Sequence, residues 1–193
     1  MISHIQGKLV EKNPTNVVID CNGVGYFLNI SLHTYSQIPD LEHIKLYTQL
    51  LVKEDSHTLY GFSSIAERDM FRLLISVSGI GAGTARTMLS SLTPKQVREG
   101  IAKEDVALIQ SIKGIGVKTA QRVIIDLKDK VLKIYDIDEV SASSNNTNKD
   151  EALSALEVLG FVKKQAERAV DKIVKAEPDA SVETIIKQAL KNL

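Results

Sequence analysis

Two glycine-apolar-glycine triplets, Gly79-Ile80-Gly81 and Gly114-Ile115-Gly116, carry the chemistry legible first in this chain. A glycine on either side of one apolar residue lets the backbone bend through positive φ and leaves no side chain to hold a ligand away. The amides of the helical turn that follows point outward without partners of their own. Together with the positive end of the helix dipole they suit a phosphate oxygen, and such a contact reads no base. The candidate donors are Gly79, Ile80, Gly81, Ala82 and Gly83 in the first copy, and Gly114, Ile115, Gly116, Val117 and Lys118 in the second. Lys118 and Arg122 stand one helical turn apart and share a face beside the second bend, placed for contacts to a DNA backbone. One such triplet would pass as an ordinary glycine-containing connection. Two are harder to dismiss, because their surroundings match at the same offset: Thr84 with Thr119, Ala85 with Ala120, Leu89 with Ile124 and Leu92 with Leu127. The pattern is helix, tight hairpin, helix, repeated.

The charges are distributed to match. The 193 residues, 44% hydrophobic and 25% charged, carry no formal net charge, which argues against a uniformly basic nucleic-acid coat. Residues 64 to 130, which hold both hairpins, nevertheless contain 11 Lys and Arg against 7 Asp and Glu. The segments on either side each carry two more acids than bases. Cys21 is alone, which excludes a disulfide framework or a four-cysteine metal site within one chain. His4, His33, His43 and His57 lack ligand spacing, so neither a metal nor a cofactor is expected. No stretch resembles a signal peptide or a membrane span; no membrane partner is expected, and the cytoplasm is the expected compartment.

The elements that must position the hairpins begin with strands. Residues 2 to 12 are β-compatible, Asn13-Pro14-Thr15-Asn16 is a turn, and Val17 to Cys21 is a second apolar run. Asn22-Gly23 is the preferred pair for a two-residue hairpin turn. Val24, Tyr26, Leu28, Ile30 and Leu32 then alternate, His33 to Gln37 holds one helical turn, and Ile44 to Val52 and His57 to Phe62 complete five strands. That order predicts an OB-fold barrel over residues 1–63. Its last hairpin carries Glu54 and Asp55 at the tip, where acid near DNA would exclude rather than bind.

Helices follow. Ser64-Ile65-Ala66-Glu67 and Thr93-Pro94-Lys95-Gln96 read as capping boxes, and the tandem helix-hairpin-helix domain is placed at residues 64–135. Residues 136–149 collapse to Asp, Glu, Ser and Asn and read as a flexible linker. Apolar stripes over 150–193, broken at Gly160 and Pro178, predict a small three-helix unit. Its marginal core and its apolar edge at Leu159-Gly160-Phe161 suit protein binding better than catalysis.

This series resembles the RuvA family of bacterial Holliday junction branch-migration subunits across essentially the whole chain. The strings that carry the likeness are Met1-Ile2, Gly23-Val24-Gly25-Tyr26, Glu54-Asp55, Leu59-Tyr60-Gly61-Phe62, Lys113-Gly114-Ile115-Gly116, Lys118-Thr119-Ala120 and Leu159-Gly160-Phe161. The resemblance implies a multi-domain β + α protein with a UBA-like tail, acting as a homotetramer, or an octamer on DNA, that holds a four-way junction open on its concave face. It implies hairpin amides on phosphates, and Glu54 and Asp55 as an acidic pin at the crossover. The tail would dock on the hexameric AAA+ ATPase RuvB through Leu156, Leu159, Phe161, Ile185 and Leu190, and the RuvC endonuclease would be a further partner. Gly83 and Val117 stand where family members often carry lysine, which should weaken the electrostatic part of binding.

Three other classes compete. A helix-hairpin-helix glycosylase or lyase would use Lys118 as a Schiff-base amine, with Asp136 as its acid, but it needs helices where residues 1–63 read as strands. A self-sufficient motor fails because Gly116-Val117-Lys118-Thr119 lacks the full phosphate-loop spacing. A single-strand-binding barrel is poorly served by 5% aromatic residues and no Trp.

Overall fold

The computed structural model describes residues 2–140, 147–177 and 180–192. The chain divides into two compact units, Met1–Leu132 and Lys133–Leu193.

Alternation of apolar and polar residues builds the first part of the first unit. Strands β1 (His4–Asn13), β2 (Asn16–Cys21), β3 (Val24–Ile30), β4 (His43–Val52) and β5 (His57–Phe62) close into a barrel in the order β1-β2-β3-β5-β4. The β3–β5 pairing is parallel, β1 closes on β4, and helix α1 (Leu32–Gln37) sits in the β3–β4 connection; together these features define the OB-fold. Ile5, Val17, Ile19, Leu28, Ile30, Ile44 and Leu46, one from every second position, point inward and fill it. The Asn22-Gly23 turn has both residues at positive φ, as a two-residue turn between twisted strands requires, and the Asp20 carboxylate accepts from the Gly23 amide at 3.0 Å.

The rest of the first unit is helical: α2 (Ile65–Ile75), α3 (Ala82–Ser91), α4 (Pro94–Ala102), α5 (Val106–Gln110) and α6 (Val117–Val140). Thr93 and Gln96 form the expected reciprocal cap, with the Thr93 hydroxyl accepting from the Gln96 amide at 3.2 Å and the Gln96 side chain from the Thr93 amide at 2.9 Å. The Ser64 box is only half made. Its hydroxyl accepts from the Glu67 amide at 3.1 Å, but the Glu67 carboxylate turns away from Ser64 into the protein. Fully buried there, it accepts from the Ser31 hydroxyl at 2.5 Å, the Thr34 hydroxyl at 2.6 Å, and the Ser63 hydroxyl and amide at 3.2 and 3.3 Å. Ser31 is also the N-cap of α1, so one carboxylate ties the barrel helix to the start of α2. Phe71, buried on α2, packs against Tyr60 and Phe62 of β5, each at a centroid separation of 5.0 Å, and seats the same helix on the barrel wall.

Helix α6 continues to Val140, beyond Asp136 where the linker was expected to begin, and the next helix starts at Thr147. Val131, Ile134, Ile137 and Val140 recur every third residue, so the helical period outlasts the rise in polar content. Residues 141–146 of the expected linker lie outside the described residues, as does Pro178.

The second unit packs α7 (Thr147–Val158), α8 (Lys163–Ala176) and α9 (Val182–Asn192) around Ala152, Leu156, Ala166, Val170, Ile173, Ile185 and Ala189. Gly160, at φ +95°, stops α7, and the Phe161 amide reaches back to the Leu156 carbonyl at 3.1 Å. Among the described residues, no helix is long and apolar enough to cross a membrane.

Replacing Glu67 with Ala would strand the buried Ser31 and Thr34 hydroxyls, loosen the half-buried Ser63, and remove hydrogen bonds to a carboxylate worth about 1.5–3 kcal/mol each in isolation. Glu67→Ala is therefore expected to lower unfolding stability by about 2–4 kcal/mol, read from urea denaturation midpoints, whereas Glu11→Ala on the exposed strand surface should change it by less than about 0.5 kcal/mol.

Candidate nucleic-acid interface

The two hairpins are copies in hydrogen bonding as well as in sequence. In the first, the Ile80 amide donates to the Val77 carbonyl at 3.0 Å and the Ala85 amide to the Gly81 carbonyl at 2.9 Å. In the second, Ile115 donates to Ile112 and Ala120 to Gly116 at the same 3.0 and 2.9 Å. Ser76 and Ser111 end the incoming helices alike, each hydroxyl donating to a carbonyl three residues back at 2.7 Å. Ile80 and Ile115 are buried plugs, and Ala85 and Ala120, fully buried, let the paired helices approach closely.

The two glycines of each triplet have different tasks. Gly79 and Gly114 adopt φ of +93° and +90°, a bend that side-chain-bearing residues rarely make. Gly81, at φ −83° and ψ 166°, is ordinary extended backbone at the N-cap of α3. A Cβ added at Gly81, Gly83 or Gly116 would meet nothing within 4 Å, so neither packing nor backbone angle explains glycine there. What glycine withholds is a side-chain oxygen. Most N-caps satisfy the first-turn amides themselves, and Gly81 makes no such bond. The first-turn amides of α3, at Ala82, Gly83 and Thr84, and those of α6, at Val117, Lys118 and Thr119, thus have no capping oxygen from the glycine before them.

Arg122 does something its spacing does not disclose. Instead of standing free beside Lys118, its guanidinium donates to the Ser78 carbonyl at 3.3 Å, 44 residues away, just before the Gly79 bend of the other hairpin. It clips the base of the first hairpin to the helix that leaves the second, and so fixes both amide clusters in one frame. Lys118 is exposed on the first turn of α6, without the buried surroundings that a lyase amine needs.

Glu54 and Asp55 are the two tip residues of the β4–β5 hairpin, which Lys53 and Ser56 close with amide-to-carbonyl bonds of 2.8 and 3.4 Å. Both acids are exposed, and the Ser56 hydroxyl donates to the Asp55 carboxylate at 3.1 Å. The tip is a short hairpin turn that ends in two carboxylates.

In the second unit the five expected contact residues separate. Leu156 and Ile185 are 0% and 1% exposed and are core residues; they offer a partner no surface. Phe161 is half-buried against that core, while Leu159 and Leu190 are exposed. Val158 and Val162, unremarked in the sequence, are 85% and 63% exposed and flank Leu159 around the α7–α8 turn. The available signal was their failure to fall on the buried stripe of either helix.

An OB-type barrel joined to a tandem helix-hairpin-helix module, with a small helical tail, defines a class of nucleic-acid-binding architecture. The sequence comparisons agree part by part. Residues 1–61 match the family model described as the RuvA N terminal domain, residues 71–129 the SAM-like helix-hairpin-helix tandem, and residues 147–193 the RuvA C-terminal domain. The chain is 70% identical to the Holliday junction branch migration complex subunit RuvA of Flavobacterium psychrophilum and 66% identical to that of Christiangramia forsetii, with all of each chain covered. Identity to the subunit of the same name from Cytophaga hutchinsonii is 51%, over 99% of both chains. The chain belongs to the RuvA family.

The division of labour between the glycines is measurable. Gly79→Ala and Gly114→Ala should each cost about 1–2 kcal/mol of unfolding free energy through left-handed strain. At Gly81 and Gly116, where φ is not positive, alanine is a poorer N-cap but a less flexible unfolded residue, so Gly81→Ala and Gly116→Ala should each cost less than about 0.5 kcal/mol, measured by chemical denaturation.

Proposed function

We propose that this chain binds four-way DNA junctions through their sugar-phosphate backbones, independently of sequence, and presents them to a motor for branch migration. The observation that carries the proposal is the pair of glycine-capped helix starts, identical in hydrogen bonding and clipped together by Arg122. Each directs uncapped amides outward, and main-chain amides on phosphates read no base. The relatives named as branch migration subunits supply the substrate. A four-way junction differs from duplex DNA in shape, and shape is what fixed pairs of backbone donors can select.

In this proposal the protein assembles as a homotetramer, or as an octamer enclosing the DNA, so that hairpin pairs engage all four arms. Glu54 and Asp55 form an acidic pin at the crossover. A carboxylate about 6 Å from a phosphate is repelled by about 0.7 kcal/mol in water and about 3 kcal/mol at an effective dielectric of 20, which favours parted strands at the centre. The chain itself is a non-catalytic cytoplasmic subunit; ATP hydrolysis belongs to RuvB, which docks on Val158, Leu159, Val162 and Leu190, with Phe161 supporting the patch from beneath. RuvC acts on the same junction. No observation favours a glycosylase: residues 4–62 form a barrel where that enzyme needs helices, and Lys118 is exposed.

The test is to make the protein satisfy its own amides. Asp at position 81 or 116 would cap its helix and place a carboxylate where a phosphate would sit. Gly81→Asp with Gly116→Asp should leave the unfolding midpoint unchanged or higher and weaken binding to a synthetic four-way junction at least tenfold in a gel-shift titration. Undiminished binding would refute the assignment. Glu54→Lys with Asp55→Lys should bind the same junction as tightly or more tightly while altering the rate of RuvB-driven strand exchange. Leu159→Asp with Val162→Asp should keep junction affinity and abolish stimulation of the RuvB ATPase.

A further inference from the structure

Helix α8 carries a second feature suited to a polyanion, on the unit that holds no hairpin. Lys164, Arg168, Lys172 and Lys175 recur at steps of four, four and three residues. At about 100° per residue they fall within about 80° of arc, on the side of the helix opposite Ala166, Val170 and Ile173, which face the core. All four are exposed, and none pairs with an acid among the described residues. Asp171, on the flank of the stripe, pairs with Lys149 of α7 at 2.6 Å; that bond, and more weakly the charge of Lys175, holds its carboxyl below the ordinary range, while Lys163 lies 3.9 Å from Glu157. Beside the stripe an open cleft of about 400 Å³ is lined by Gln165, Arg168, Lys172 and Asn192, two cations and two amides, over a floor of Ala169 and Ile173.

We propose that this stripe is a second DNA-backbone site, which takes the phosphates of a duplex arm while the hairpins hold the junction. Two features favour DNA over an acidic protein. Three of the four cations are lysine, a residue depleted from protein–protein interfaces, and the four present no apolar anchor between them; the apolar surface of this unit lies at Val158, Leu159 and Val162 instead. Their reach also fits. From Lys164 to Lys175 the helix rises about 16 Å, which matches about five nucleotides of one strand at a rise of about 3.4 Å. Contacts of this kind carry no sequence information, in keeping with the hairpins. The site extends the junction-binding proposal and relies on it only for the presence of DNA.

The experiment compares the full-length chain with its K164Q/R168Q/K172Q/K175Q variant, glutamine being close to lysine and arginine in helix propensity. The probe is a synthetic four-way junction with long duplex arms, and the readout is the slope of log affinity against log salt concentration. Each lost phosphate contact lowers the slope by about 0.9, so the variant should show a slope smaller in magnitude by about 3.6 for each chain whose stripe is engaged, with an unchanged unfolding curve. The paired variants K164Q/K172Q and R168Q/K175Q should each show about half the loss, which keeps the test intact if the fourfold change disturbs folding. A slope equal to that of the unaltered chain overturns the proposal. So does an equal slope with weakened binding to purified RuvB, which would assign the stripe to an acidic protein surface. If the unaltered chain itself binds the junction no better than linear duplex, the junction-binding proposal has failed instead.

Discussion

Everything in this molecule depends on amides that the protein declines to satisfy. The first turn of any helix leaves donors without intrahelical partners, and folded proteins ordinarily cap them with a serine, threonine or aspartate. The chain does so at α1, α2, α4 and α5, where Ser31, Ser64, Thr93 and Asp105 accept from the third amide of the turn. At α3 the cap is Gly81, with no side-chain bond, and Gly116 precedes α6 in the same way. Four capped starts beside two glycine-led ones in one unit make the difference look like a property of the site. Leaving those donors without a side-chain cap costs a few tenths of a kcal/mol to about one per helix, and in the function proposed above an anion takes them.

Reserved donors are useful only when held still, and the surrounding structure supplies that constraint. Buried Ile80 and Ile115 pin each bend to the core, and Arg122 joins the two bends through the Ser78 carbonyl. One step further back, the Glu67 carboxylate and the Phe71 ring fix α2 to the barrel, so the helix that enters the first hairpin is seated on the wall from which the Glu54-Asp55 tip projects. The Glu54 and Asp55 carboxylates and the two sets of uncapped amides therefore belong to one compact unit. The helical tail is a separate unit with its own core.

What could be read from the sequence was local. Strand alternation from Val24 to Ile30, the Asn22-Gly23 turn, the Thr93-Gln96 box and the matched triplets each declare themselves within a few residues, and each is present in the fold, whereas Leu32, expected to continue the strand, opens α1 and is exposed. The bonds that span the chain were not legible. Glu67 reads as half of a capping box because Ser31 and Thr34 lie more than 30 residues upstream, and the bond from Arg122 to the Ser78 carbonyl spans 44 residues. Burial in the tail failed for a related reason. Leu156, Leu159, Ile185 and Leu190 are alike in type, and only the way three helix faces meet decides that the first and third are core while the second and fourth are surface. The end of α6 was misplaced because composition was weighed over period.

The central claim concerns particular nitrogen atoms, and amide NMR observes them individually. Titrating the ¹⁵N-labelled protein with two four-way junctions of unrelated sequence should shift the amides of Ala82, Gly83, Thr84, Val117, Lys118 and Thr119, by the same amounts for both junctions. Unmoved resonances at those six positions, or shifts that differ between the two sequences, would contradict it.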